Sequence, residues 1–174
     1  MRKNIFIILI IVHFYSCGKN SNDILIKIYT GKYNQVGTPS GYINTKGDTI
    51  IPLGKYYYCF TDTIRDFGIV MDKKNRLMGI DQKENELFEV FWFDNGSDYV
   101  SDGLFRIVKN NRIGYANQKG EIIIEPKFKC ALPFDNGIAQ VSNDCTTEID
   151  DVENSTWKSN NWFYINKSGI EIKR

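Results

Sequence analysis

Apolar residues in this chain come in short bursts, separated at regular distances by small groups of polar turn-formers. The stretch GYANQKGEIIIEP (residues 114–126) shows the pattern most clearly: a brief half-apolar segment, a polar group closed by glycine, then a run of isoleucines. Bursts of about four to eight residues bounded by Gly and Asn predict strand, tight turn, strand.

Close relatives of this stretch recur. GYINTKGDTII (41–51), GIDQKENELFE (79–89), GYANQKGEIII (114–124) and FYINKSGIEIK (163–173) align position by position. Their fourth column is a carboxamide (Asn44, Gln82, Asn117, Asn166), and their tenth is apolar (Ile50, Phe88, Ile123, Ile172). The seventh column holds Gly47, Asn85, Gly120 and Gly169. Gly, and Asn after it, tolerate positive φ, so this column predicts the left-handed residue that closes a short hairpin loop. The carboxamide predicts an Asx-type turn bond and is preferred in that role over a ligand donor. Gly68, Gly103 and Gly137 each open a further strand: GIVMD, GLFRIV and GIAQV. Alternation in GLFRIV, with Arg106 between apolar residues, predicts a half-buried strand. Gly68 to Gly79 and Gly103 to Gly114 are both 11 positions, but Gly137 to Phe163 is 26, so the last unit carries an insertion within about residues 142–160. ILIKIY (24–29) reads as the last strand of a preceding unit.

These units resemble the WG (KWG) repeat. NNRIGYANQKGEIIIEPKF follows the repeat's pattern through Pro126 and Phe128, and NNWFYINKSG keeps the signature tryptophan at Trp162, with Phe163 in place of the glycine. Ser40, Met78 and Ile113 stand where the other tryptophans would be. Pro52 recurs near the Pro126 position; the second unit has no proline there. The resemblance implies an all-β array of short antiparallel hairpin or three-stranded repeats, about three full units plus a terminal hairpin, and implies no shared reaction. Units starting near residues 41, 79, 114 and 163 then form a single β-repeat domain over 24–174. Such units cannot bury an apolar face alone and must stack. YYYCF (56–60) and FEVFWF (88–93) are expected to fill that core, with a sugar- or peptide-binding surface as the alternative.

The first residues add an address. Arg2 and Lys3 precede an apolar run, Ile5 to Val12, far short of the ~20 residues needed to cross a bilayer. Residues 1–16 read as a signal peptide, and FYSC looks like a lipobox, which would make Cys17 the lipid-bearing residue and 17–23 a tether. An ordinary signal peptide is the alternative. The expected location is the bacterial cell envelope, periplasmic or surface-exposed, on a membrane through the lipid.

Cleavage there leaves 158 residues without histidine, since His13 is the chain's one histidine. Imidazole-based catalysis and His-ligated zinc are thereby excluded. The near-neutral charge, with no basic block, argues against nucleic acid. Cys59, Cys130 and Cys145 show no CxxC spacing; Cys130–Cys145 is the favoured disulfide because it would staple the insertion, against three buried thiols. Asp144, Glu148, Asp150, Asp151 and Glu153 cluster in the insertion with Trp157, and read as an exposed contact loop without the spacing of a calcium loop. Ser155-Thr-Trp-Lys158, with Ser159-Asn-Asn161 and Lys167-Ser-Gly169, imitates a penicillin-recognising serine enzyme, but these motifs lie far too close together in sequence.

No catalytic residue, metal site or cofactor is expected. The expectation is a non-enzymatic, lipid-anchored scaffold binding an unknown protein or envelope glycan. Two other classes stay open: a carbohydrate or peptidoglycan module, and a hydrolase built on carboxylates such as Asp62, Asp66, Asp94 or Asp98.

Overall fold

The computed structural model describes residues 24–32, 35, 37–149 and 155–173. The signal segment, Cys17, the tether, Asp150, Asp151 and Glu153 lie outside the described residues. Every regular element described is a strand. Four three-stranded antiparallel meanders follow one another: β1 (Leu25–Tyr29), β2 (Ser40–Ile43) and β3 (Thr49–Ile51), with β4 (Tyr58–Cys59) and β5 (Thr63–Ile64) in the link that follows. The second meander is β6 (Gly68–Met71), β7 (Leu77–Ile80) and β8 (Glu86–Val90), followed by the small hairpin β9 (Trp92–Phe93) and β10 (Gly96–Ser97). The third is β11 (Leu104–Lys109), β12 (Arg112–Asn117) and β13 (Ile122–Phe128), with β14 (Cys130–Ala131) one residue beyond. The fourth is β15 (Ile138–Ser142), β18 (Phe163–Asn166) and β19 (Glu171–Ile172), interrupted by the hairpin β16 (Thr146–Ile149) and β17 (Ser155–Lys158).

One rule joins the meanders. The segment leaving each hairpin pairs with the first strand of the next: β4 with β6, β8 with β11, β14 with β15. β1 occupies the corresponding place before β2, and its other edge pairs with β5. The connections between first and second strands are ten, five, two and twenty residues long, so this is where the architecture tolerates insertion. The two-residue case, Asn110-Asn111, has both residues at positive φ, the backbone that a tight hairpin with right-twisted strands demands.

The turn between second and third strands is constant. In three meanders an asparagine carboxamide oxygen accepts two backbone N–H groups: Asn44 from Lys46 and Asp48, Asn117 from Lys119 and Glu121, Asn166 from Ser168 and Ile170. Gly47, Gly120 and Gly169 take the left-handed place in these turns. The second meander departs from the aligned frame by one residue. There Asp81, not Gln82, accepts from Lys83 and Asn85. Glu84 at φ 64°, not Asn85, is the left-handed residue. A carboxylate oxygen serves an Asx turn as well as a carboxamide does, so the alignment slipped without any loss of geometry. Gln82 instead donates to the Arg65 carbonyl.

The same slip explains the tenth column. Ile50 and Ile123 are exposed, whereas the next residues, Ile51 and Ile124, are buried; Phe88 is their counterpart in the second meander. Gly114 lies at a strand irregularity, and at both Gly41 and Gly114 a Cβ would overlap third-strand backbone, the carbonyls of Ile51 and Ile124, so only glycine fits.

Three cores lie at the three junctions. Tyr42, Ile51, Ile64 and Ile80 fill the first, Leu77, Phe88, Val90 and Ile107 the second, and Tyr115, Phe134, Val141 and Ile165 the third. Tyr42 and Tyr115 are fully buried and donate their hydroxyls to the carbonyls of Thr61 and Leu132, in the links leading onward. Burial pushes both phenols well above their ordinary range, so they act as fixed donors. The aromatic runs divide between inside and outside. Tyr56, Tyr58 and Phe88 are buried, but Tyr57, Trp92 and Phe93 are exposed, which corrects the expectation that both runs fill the core.

Candidate functional site

Two segments lie outside the repeat, the excursion 91–103 and the insertion 143–162. The excursion adds little to the cores, yet it is rigidly held. Asp98 is buried and forms a bidentate pair with Arg106 of β11, Nη2 to Oδ1 at 2.5 Å and Nε to Oδ2 at 2.9 Å. The Arg106 amide also donates to Asp98, and Nη1 donates to the Ala131 carbonyl. Arg106 is only 3% exposed, so the half-buried strand expected from alternation is buried through most of its length. A buried pair of this kind fixes geometry more than it stabilises, because desolvation offsets much of the attraction.

The guanidinium is also stacked, 4.3 Å from the Phe91 ring centre and 5.3 Å from that of Phe93. Residues two apart on a strand share a face, so Phe91 and Phe93 stand on one side and Trp92 on the other. Phe93 meets Tyr99 edge to face at 5.4 Å, and Phe91 meets Trp157 of β17 at 5.6 Å. Tyr99, Phe93, Arg106, Phe91 and Trp157 therefore form one row that joins the excursion to the insertion. Its outer end is open to solvent: Phe93 is 45% and Tyr99 50% exposed, with Trp92 at 44% on the reverse side. The Trp92 indole N–H donates to the Asp94 carbonyl, which fixes the ring.

The insertion projects as the exposed hairpin β16–β17 on a closed neck. Asp144 makes that neck. Its carboxylate accepts from the hydroxyls of Ser142 and Ser159 and from the Asn161 amide. Hydrogen bonds from Ser159, then Asn161 and Ser142, pull its pKa down to about 2. Asp144 thus ties the base of the loop together. Cys130 and Cys145 are joined by a disulfide, tying the neck to β14. Cys59 is a free, buried thiol whose pKa burial raises. Glu148 is exposed on β16, and Trp157 is half-buried against Phe91.

The carboxylates considered for hydrolysis do not converge. Asp98 is committed to Arg106, Asp62 pairs with Lys27 at 3.5 Å, and Asp66 and Asp94 are exposed on different links. Ser155 and Lys158 lie on the exposed β17, and the Lys167-Ser-Gly169 stretch is the fourth meander's turn, with Lys167 bound to the Asp102 carbonyl. A cleft of about 230 Å³ lined by Leu132, Pro133, Asp135, Asn136, Ile138, Gln140 and Tyr164 holds a single carboxylate. Among the described residues no three His, Cys, Asp or Glu side chains gather to hold a metal ion. The chemistry this surface offers is contact through aromatic faces and carboxylates. Sequence reasoning missed the Asp98–Arg106 clamp; no periodic signal marks a pair whose acid sits in an irregular excursion.

Neither a curated protein nor a solved structure matches the chain. The family model described as the WG containing repeat matches residues 41–74 and 113–144. Each match runs from a β2-type or β12-type strand into the first strand of the next meander; the hairpin with Asp81 and Glu84 in its turn falls between them. The chain thus carries two stretches that match the WG containing repeat, set within an all-β array.

Proposed function

We propose that this protein is a non-enzymatic binding or scaffolding module of the bacterial cell envelope, held on a membrane by lipid at Cys17, with the repeat array as frame and the aromatic row as working surface. The observation that carries the binding role is the cost of the excursion. A buried ion pair and a stacked guanidinium hold Phe93 and Tyr99 in solvent, where they contribute little to the cores. Rings fixed before contact lose little conformational entropy when they bind. The signal-like start and FYSC support the address.

Capture from the native envelope tests the binding role. The intact protein is expected to retain a partner set that a Phe93→Ala/Tyr99→Ala variant loses, and an identical set would refute it. Replacing Cys17 by Ser tests the anchor separately, since membrane retention is expected to fall; unchanged fractionation would refute it. Exposure of Trp92 and Tyr99 favours a second reading, an envelope glycan stacked on the rings. Saturation by soluble peptidoglycan fragments would distinguish it.

A further inference from the structure

The cleft beside the fourth meander belongs neither to the aromatic row nor to a core. Gln140 of β15 lies directly opposite Tyr164 of β18, and its amide donates to the phenol at 3.1 Å. Residues two apart on a strand share a face, so Ile138 stands with Gln140 on one side of the sheet. Ala139, Val141 and Ile165 enter the third core on the other. The link 132–136 forms the opposite wall. Phe134 anchors it in the third core, the Leu132 amide donates to the Gln140 carbonyl, and Tyr115 donates to the Leu132 carbonyl. The excursion braces this wall from behind: the Ser101 hydroxyl donates to the Phe134 carbonyl at 2.5 Å, and the Gly137 amide to the Asp102 carboxylate at 2.6 Å. Asp135 and Ile138 exchange backbone hydrogen bonds around Asn136-Gly137, both at positive φ. A concavity held in this way is formed before a ligand arrives, so little has to be ordered on binding.

The lining narrows the occupant. Leu132, Pro133 and Ile138 supply an aliphatic wall, and Tyr164 adds an aromatic ring. Asn136 and Gln140 bring carboxamides, each able to donate and to accept. No basic side chain lines the cleft, so nothing there offsets the charge of an anion. Asp135 is the one charged group; it is exposed and already accepts the Asn136 amide at 3.1 Å, which makes it a weak anchor for a lone cation. A neutral ligand with both apolar and hydrogen-bonding faces fits best. The volume of about 230 Å³ lies below the roughly 300–1,000 Å³ of pockets for drug-sized molecules, and suits a single ring. A plain hexose would leave the aliphatic wall facing water, whereas an acetyl methyl covers it. We infer that this cleft binds one neutral acetamido sugar, its methyl and ring against the apolar wall and Tyr164, its amide and hydroxyls to Gln140, Asn136 and Asp135. This is a second site, separate from the row on which the binding role above was argued.

The test uses the full chain in polyoxyethylene detergent micelles, whose head groups carry no sugar. N-acetylglucosamine, glucose and glucosamine are titrated separately, read by saturation-transfer NMR on the sugar and by amide shifts in the protein. N-acetylglucosamine is expected to saturate with a dissociation constant on the order of 1 mM and to shift the Gln140 and Tyr164 amides. Glucose is expected to bind at least about fivefold more weakly. Gln140→Leu keeps the bulk of the side chain and removes its carboxamide, and is expected to lose about fivefold to tenfold in affinity while amide shifts away from the cleft stay in place. Tyr164→Leu is expected to lose a similar factor; should it fail to fold, Gln140→Leu alone decides. Envelope capture through Phe93 and Tyr99 is a separate measurement, so the binding role and this site fail independently. Absence of saturation at roughly 20 mM, equal affinity for glucose, tighter binding of glucosamine, or full affinity in Gln140→Leu would each overturn the inference. So would shifts confined to Trp92 and Tyr99, which would place the sugar on the row.

Discussion

Gly47, Gly120 and Gly169 occupy one turn position at φ 88°, 78° and 72°, in three different surroundings. A Cβ on Gly47 would meet nothing within 4 Å. On Gly169 it would lie 3.2 Å from Ile124 of the preceding meander. On Gly120 it would lie 2.9 Å from the Phe67 Cβ and 3.1 Å from Leu87, beside the preceding hairpin. Alanine at positive φ costs roughly 1–2 kcal/mol at any of the three. Overpacking adds about 1–3 kcal/mol only where the new methyl meets atoms that cannot move aside. Phe67 Cβ sits next to its own backbone and cannot rotate away. Gly47→Ala is therefore expected to cost about 1–2 kcal/mol and Gly120→Ala about 2–5 kcal/mol. Gly169→Ala falls between, because the end of an isoleucine side chain can yield. Urea denaturation followed by circular dichroism resolves the series. With a slope of about 2 kcal/mol/M, Gly120→Ala lowers the midpoint by about 1–2.5 M, and Gly47→Ala by about 0.5–1 M. Equal midpoints for the three variants would refute the claim that these turns seat against the preceding meander.

Asp98→Asn leaves Arg106 charged and buried and is expected to cost about 3–5 kcal/mol, whereas replacing both residues by apolar ones of similar size costs less than this single change; thermal denaturation of the set decides. Reducing Cys130–Cys145 opens a loop of 15 residues and is expected to remove up to about 3 kcal/mol, measured by denaturation with and without reductant. The Asp144 carboxylate titrates near 2 in the folded neck and near ~4 when unfolded, so its contribution is complete above about pH 4 and lost as pH falls towards about 2. Amide exchange at Ser159 and Asn161 is expected to accelerate over that window, and Asp144→Ala to abolish the pH dependence.

Much of the frame was legible because its turns use chemistry with few substitutes. Asn117 and Gly120 mark a hairpin by type and spacing alone, and the same pair at Asn44 and Gly47 or Asn166 and Gly169 marks its copies. The second meander was misregistered because Asp81 does the asparagine's work and Glu84 tolerates the glycine's φ, while the Glu84 carboxylate pairs with Lys55 at 2.6 Å. Column identity therefore moved by one residue while the backbone did not. The surface was harder to read. FEVFWF has the composition of a core strand, and only the break after Val90 and the Asp98–Arg106 clamp turn Trp92 and Phe93 outward. Those contacts join residues that sequence spacing gave no reason to pair. The insertion was located by the expanded interval before Phe163, but the work of Asp144 at its neck depends on Ser159 and Asn161 across the hairpin, which spacing alone does not bring together.

Specificity in this protein is assigned to the flank outside the repeats. Site-specific photo-cross-linking in the native envelope tests that most directly, with a benzophenone side chain placed at Tyr99 in one variant and at Ile50, an exposed residue of the array, in another. A discrete adduct is expected from Tyr99 and none from Ile50. An adduct from Ile50 with none from Tyr99 would place recognition on the repeats and contradict the assignment.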